Sequence, residues 1–375
     1  MMDSLDFAHE MNGMSDANRP ASPVLVSAHK IAVVGLGLIG GSIARRLVEH
    51  QRFVTAWNHR PNPYEQARKD GIHCVETLEE LVKGKPDILI LAVPLESMGD
   101  ILTQIAPHLH RGTTLTDVGS VKGPVRDLVE AAGLSEFYVG GHPMAGNEKS
   151  GFDASSAELL DDALWAVTFD DATDYSRFLT VVDMITKGLE NAVIAVDDAT
   201  HDKAAALISH MPHVVSTALA NELVEGDFAD PAVAVALSAG SWRDMTRVSL
   251  TDPQRTRAMV ELDARNVADL LDSMALRLQQ ESLLLRSELA GDELAYDQSE
   301  KFFEAPEPFR EYKRHDARAR QVAGEAVVEP LIIDDSTWRE QVLASARAGE
   351  CIVEFRTTHE ARVERRPLAA LRRKG

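Results

Sequence analysis

Two cysteines in 375 residues, Cys74 and Cys351, are too few and too far apart for a disulfide framework, and no CxxC pair offers a zinc site. That scarcity predicts a reducing compartment, the cytoplasm. Positive charge is short as well: 39 lysines and arginines against 59 acids leave a net charge of −20. Nucleic acid and anionic membranes repel such a chain, so neither is an expected partner. An anionic small molecule would need a local cluster of cations. No stretch approaches the ~18 consecutive apolar residues of a membrane helix. The first 29 residues lack the apolar core of a signal peptide and read as a disordered leader.

The remainder is 45% hydrophobic, enough for two or three domains with their own cores. Lys30–Val34 is a short apolar run of the kind buried on both faces, followed by a helical segment from 42 to about 50 and a second strand, Phe53–Trp57. Apolar runs at Ile88–Val93, Thr113–Val118, Tyr138–Gly140, Leu164–Phe169 and Ala192–Val196 alternate with helical stretches, notably 174–188. Residues 30–196 therefore predict an α/β domain with a doubly wound, mostly parallel sheet.

After Val196 the strand pattern stops, and 197–291 reads as all helical. Pro212 should kink or break the first helix. Asp252–Pro253 is a helix start, and Val260, Val267, Leu271, Met274 and Leu278 share one face of a long helix that stops at Gly291. Such a helix is covered either by a second copy of itself, making a homodimer, or by its own sheet domain. Residues 292–325, charged and containing Pro306 and Pro308, read as a linker. A small α+β extension, 326–375, follows as strand, helix, strand, strand, without a chemical motif. Its basic end, Arg365 to Lys374, reads as a solvated tail.

Gly35-Leu36-Gly37-Leu38-Ile39-Gly40 lies directly after a buried strand and opens a helix, the context a dinucleotide-binding turn requires. Gly35 permits the tight turn, Gly37 the approach of the pyrophosphate, and Gly40 close helix–strand packing, with Leu38, Ile39 and, at the end of another strand, Val93 completing the cofactor site. Ser42 could add a hydroxyl. The second strand ends at Trp57-Asn58-His59-Arg60 without a carboxylate for the ribose 2′-hydroxyl, and Arg60 could pair with a 2′-phosphate. The cofactor is NADP or NAD, with NADP favoured.

His142, framed in Gly-His-Pro-Met-Ala-Gly, is a candidate general base near neutral pH. Ser120, in the Asp117–Lys122 segment at a strand's carboxyl end, is placed to hydrogen-bond His142 or the substrate. His210 and His213 lie three apart on a helix, as ordinary helix residues, pocket contacts or ligands to a metal for which no third ligand is at hand. Arg243 and Arg247, one helical turn apart, suit a small-molecule dicarboxylate or an ion pair with Asp244 and its neighbours.

With these five motifs in order, residues 30 to 290 resemble the prephenate and arogenate dehydrogenase family of tyrosine biosynthesis. The resemblance implies a Rossmann-type domain, a helical dimerisation domain, and oxidative decarboxylation of prephenate or arogenate with hydride transfer to a nicotinamide. It makes His142 the base for the ring hydroxyl, Ser120 its orienter, Arg247 the holder of a substrate carboxylate, and Arg243 and His213 further pocket contacts, with His210 structural. Asn58 departs from the acidic residue of NAD-preferring relatives, and the segment after 292 does not read as the regulatory ACT domain of some members. Another two-domain NADP reductase, or a nucleotide-binding sensor without turnover, are the alternatives.

Overall fold

The computed structural model describes residues 27–146, 149–227, 229–321 and 328–365. Most of the expected leader, the end of the expected linker and nearly all of the basic tail lie outside them, as do Asn147 and Glu148 of the motif around His142.

Five parallel strands form the first sheet: β1 (Lys30–Val34), β2 (Phe53–Trp57), β3 (His73–Cys74), β4 (Ile88–Leu91) and β5 (Thr114–Asp117), in the order β3-β2-β1-β4-β5. Residues Ile31 to Val34 and all of β4 are buried, as strands covered by helices on both faces must be. The helices are α1 (Leu38–Glu49), α2 (Tyr64–Lys69), α3 (Leu78–Lys83), α4 (Leu95–Ile105) and α5 (Gly123–Ala131). The chain runs outward from β1 to β3, then returns to lay β4 on the other side of β1. That reversal opens a crevice at the carboxyl ends of β1 and β4.

Three further strands continue the domain: β6 (Gly140–Pro143), β7 (Leu164–Thr168) and β8 (Ala192–Val196). β6 runs antiparallel to β7, and β7 parallel to β8. A single bridge, Leu115 to Tyr138, links β5 to the approach to β6. Between β7 and β8 lie α6 (Tyr175–Asp183), capped by the Asp174 carboxylate, and a π-helical turn, Met184–Gly188.

The helical region comprises α7 (Asp198–Ala205), α8 (Met211–Val224), α9 (Pro231–Leu237), α10 (Gly240–Thr246), α11 (Pro253–Leu262) and α12 (Ala264–Leu289). Pro212 does not break the first helix. A π turn, Ala206–His210, precedes it, and Pro212 occupies the first turn of α8, where its missing N–H costs little. The long helix expected from Pro253 is divided instead at Asp263 (φ −121°, ψ 28°), whose carboxylate binds His210 Nδ1 at 2.9 Å and Asn266 Nδ2 at 2.7 Å. Val267 is buried, whereas Leu276, Leu283 and Leu289 on α12 are exposed on the single chain.

The segment expected as a linker carries two helices, α13 (Glu293–Glu304) and α14 (Glu307–Gln321). Asp292 caps α13 through the amides of Leu294 and Ala295, and Pro306 and Pro308 sit at the start of α14, where proline is tolerated. Here the prolines mark a helix start.

β9 (Val328–Ile332), α15 (Trp338–Arg347), β10 (Glu350–Thr357) and β11 (Glu360–Arg365) follow in the expected order, but as part of the sheet domain. β10 pairs with β8 through Ile352 and Val193, giving a six-stranded sheet in the order β6-β7-β8-β10-β11-β9. Trp338 is 2% exposed, with ring centroids 4.8 Å from Phe169, 4.8 Å from Phe178 and 5.0 Å from Tyr175. Truncation of such a ring costs about 3–5 kcal/mol. Trp338→Ala is therefore expected to destabilise the whole sheet domain by that amount in urea titration. A separate low-urea transition confined to the extension would show that it folds independently.

Candidate active site

The loop after β1 is shaped for close approach by a ligand. Gly35 takes φ +102° and donates to the Trp57 carbonyl at 2.8 Å. A Cβ there would stand 2.4 Å from the Ala92 carbonyl oxygen, and one on Gly40 would stand 2.1 Å from the Gly35 carbonyl oxygen. Neither position admits a larger residue. At Gly37 an added Cβ would meet nothing within 4 Å, and no side chain caps the α1 amides that begin at Leu38. Open space before uncapped helix N–H groups fits a pyrophosphate. Leu38 is buried, Ile39 and Val93 are half-buried, and Val93 lies against Gly35 across the mouth of the crevice.

Two nearby side chains are committed to the fold. Ser42 donates to the Leu38 carbonyl at 2.7 Å and accepts from the Ser156 amide, so its hydroxyl is not directed to a phosphate. The Asn58 carboxamide accepts from the Leu36 amide at 2.9 Å and donates to the Arg60 carbonyl at 2.8 Å, bracing the loop. Arg60 is exposed and, among the described residues, makes no ion pair.

His142 is brought to the carboxyl end of β5 by a buried polar cluster. Lys122, fully buried, bonds the Asp117 carboxylate and donates to the Gly141 carbonyl at 2.6 Å, while Asp117 also accepts from the Tyr138 hydroxyl at 2.8 Å and the Gly141 amide at 3.2 Å. A Cβ on Gly141 would stand 2.7 Å from the Asp117 carbonyl oxygen, which explains a glycine before the histidine. The imidazole Nδ1 lies 2.9 Å from His201 Nε2, and His201 Nδ1 lies 2.8 Å from Asp202 Oδ1. Ser120, expected to orient the ring, makes no hydrogen bond among the described residues, and the side chain that meets the imidazole is that of His201. Burial holds the His142 pKa well below the ordinary 6.5, reinforced by the neighbouring His201, Lys122 and His210.

Arg243 on α10 and Arg247 just after it are exposed and free of ion pairs among the described residues, Asp244 included. His213 bonds the Val248 backbone, and burial lowers its pKa. Its Nδ1 is buried with no partner among the described residues, as is His210 Nε2. His210 is anchored to Asp263, and among the described residues no group of three or more potential ligands is arranged to hold a metal ion. Arg255 of α11 reaches back to the Lys149 carbonyl at 3.1 Å, joining the helical region to the loop after β6. An imidazole with an open nitrogen, a dinucleotide crevice and two uncommitted guanidinium groups suit proton abstraction coupled to hydride transfer on an anionic substrate.

Sequence reasoning missed His201 and Asp202. The available signal was a His-Asp pair in the first turns of the helix leaving β8, at the carboxyl edge of the sheet. Helical periodicity alone makes them ordinary surface positions, yet they are only 4% and 7% exposed.

The nucleotide-binding domain model of prephenate dehydrogenase matches residues 43–196, and the dimerization domain model of prephenate dehydrogenase matches residues 197–296. The prephenate dehydrogenase of Lactococcus lactis subsp. cremoris is 34% identical over 267 residues, 66% of this chain and 71% of that protein. A crystal structure of prephenate dehydrogenase from Aquifex aeolicus, in complex with hydroxyphenyl propionate and NAD+, superposes with a TM-score of 0.66 at 26% identity, covering 75% of this chain and 99% of that one. The Synechocystis arogenate dehydrogenase gives 0.65 at 25% identity over the same shares.

A pH titration tests the desolvated imidazole. Burial opposes the charged ring, so the His142 signals in NMR should hold constant from pH 8 to 6.5 and move only at lower pH. Because the folded pKa lies below the unfolded one, the unfolded state binds more protons in that window, and His142 contributes stability above pH 6.5 that is lost as pH falls. Titration at or above 6.5 would contradict the geometry.

Proposed function

The chain belongs to the prephenate dehydrogenase family, and on that premise we propose that His142 is its catalytic base and Arg247 its principal substrate anchor. Its activity is NAD(P)-dependent oxidative decarboxylation of prephenate or arogenate, to 4-hydroxyphenylpyruvate or tyrosine. A bound nicotinamide would supply the hydride acceptor, held by the Gly35–Gly40 turn. His142 takes the proton of the ring hydroxyl as the carbon-bound hydrogen leaves as hydride. Loss of carbon dioxide makes the ring aromatic, and His142 returns the proton to the ring oxygen, so the proton count closes. Ser120, with its hydroxyl unengaged, contacts the substrate or the nicotinamide instead of His142.

The observation that carries this reading is the His142 imidazole on β6, its Nδ1 already occupied by His201 and its charged form disfavoured by burial, beside the dinucleotide crevice. Arg243 and Arg247, exposed and without ion pairs among the described residues, supply the contacts that a dicarboxylate needs, with His213 a further pocket contact. The Aquifex relative, which holds a hydroxyphenyl carboxylic acid together with NAD+, supports a substrate of this shape. NADP is read as the better cofactor because Arg60 is uncommitted and no acid stands beside it. The exposed leucines of α12, in the segment matching a dimerization domain, favour a homodimer. Sedimentation should give twice the chain mass. The sparse cysteine content favours the cytoplasm, which fractionation would test; among the described residues no helix is long and apolar enough to cross a membrane.

Absorbance at 340 nm, with each substrate and each cofactor, tests the function. His142→Asn should lower kcat by about 10²- to 10⁴-fold with little change in KM, as loss of a general base does. An unchanged kcat would remove His142 from the chemistry. The two binding sites make a paired demand. Arg247→Ala should raise the substrate KM about 10- to 100-fold, the loss of a charge-assisted contact worth about 1.5–3 kcal/mol. Arg60→Ala should weaken NADP selectively, and equal losses for NAD and NADP would show that it does not read the 2′-phosphate.

A further inference from the structure

His142 ends a hydrogen-bonded chain of three side chains drawn from two parts of the fold. Asp202 accepts the Lys122 amide on Oδ1 at 2.7 Å and the Gly123 amide on Oδ2 at 2.9 Å, capping the start of α5 from α7. The same Oδ1 receives His201 Nδ1, and His201 Nε2 meets His142 Nδ1 at 2.9 Å. Burial alone would raise the Asp202 pKa, but the His201 bond and the two amides outweigh it and hold the carboxyl below its usual range.

An ionised carboxylate only accepts, so His201 Nδ1 carries the hydrogen. A neutral His201 then has a lone pair on Nε2, and His142 must donate to it from Nδ1. Only His142 Nε2 remains as a lone pair. We propose that His201 and Asp202 are positioning residues that lock His142 in the Nδ1–H form and take up the positive charge when it accepts the substrate proton. In that step Nε2 gains the hydroxyl proton, Nδ1 passes its own to His201 Nε2, and the resulting imidazolium stays bonded to Asp202. Reversal returns both protons, so no other acid or base is consumed. The charge would otherwise rest in a desolvated ring facing the Lys122 ammonium from the start of α5 and His210 from the π turn, with Asp117 and Asp263 already engaged by Lys122 and His210.

The proposal rests on His142 being the base, and one readout is independent of turnover. Long-range ¹H–¹⁵N correlation of the histidine-labelled protein, with the His142 signals identified by their loss in His142→Asn, should show Nδ1 protonated and Nε2 bare. In His201→Phe the ring should pass to the Nε2–H form, and kcat should fall about 10²-fold or more with KM within about threefold, as when a catalytic histidine takes the wrong tautomer. His201→Gln, whose amide oxygen can still accept from Nδ1, should restore the Nδ1–H form and at least about tenfold of the lost kcat. A wild-type ring in the Nε2–H form, an unchanged tautomer in His201→Phe, or equal kcat values for the two variants would overturn the relay. Should His201→Phe fail to fold, the wild-type tautomer and the His201→Gln profile decide alone. The tautomer reading also holds if neither substrate is turned over, which would count against the dehydrogenase assignment only.

Discussion

The Asp202 carboxylate joins the parallel sheet to the helical region and orders the site between them. It accepts two backbone amides at the start of α5 and one imidazole from its own helix, three donors for a buried anion that would otherwise be costly to desolvate. Because the same carboxylate caps α5 and bonds His201, the position of the helical region and the hydrogen bonding of His142 are set together.

Beneath His142 a buried charge pair, Lys122 and Asp117, fills the gap between β5 and β6. Burial drives the Lys122 pKa down while Asp117 opposes that shift, so the pair survives only by satisfying its hydrogen bonds through Gly141 and Tyr138. Its role is placement: β6 is short and antiparallel to β7, and these contacts through Gly141 hold it at the carboxyl edge of the parallel sheet.

The sheet is also finished from far along the chain. β9, β10 and β11 extend it beyond β8, and Trp338 inserts into the aromatic cluster of α6. Between the sheet domain and this return lie α12 to α14, with Leu283, Leu294 and Phe303 exposed. Apolar helix faces of that extent call for a covering partner, and the match of residues 197–296 to a dimerization domain makes a second copy the economical candidate.

Local pattern determined much of this protein in advance. Short apolar runs, the glycine spacing after β1, and even the strand–helix–strand–strand order of the C-terminal segment follow from burial and backbone sterics, which act over a few residues and leave a mark in one chain. The division at Asp263, the π turn before Pro212 and the helices around Pro306 were not legible, because each depends on a partner distant in sequence or on where a helix happens to begin. The same holds at the site. His142, Arg243 and Arg247 stand in motifs that mark them as candidates, whereas the hydrogen bond from His142 to His201 and the use of the Asn58 carboxamide within its own loop leave no such mark. Which hydrogen-bonding groups meet is decided by the packing of α7 on α5 and β6, and a one-dimensional pattern carries no record of contacts made across eighty residues.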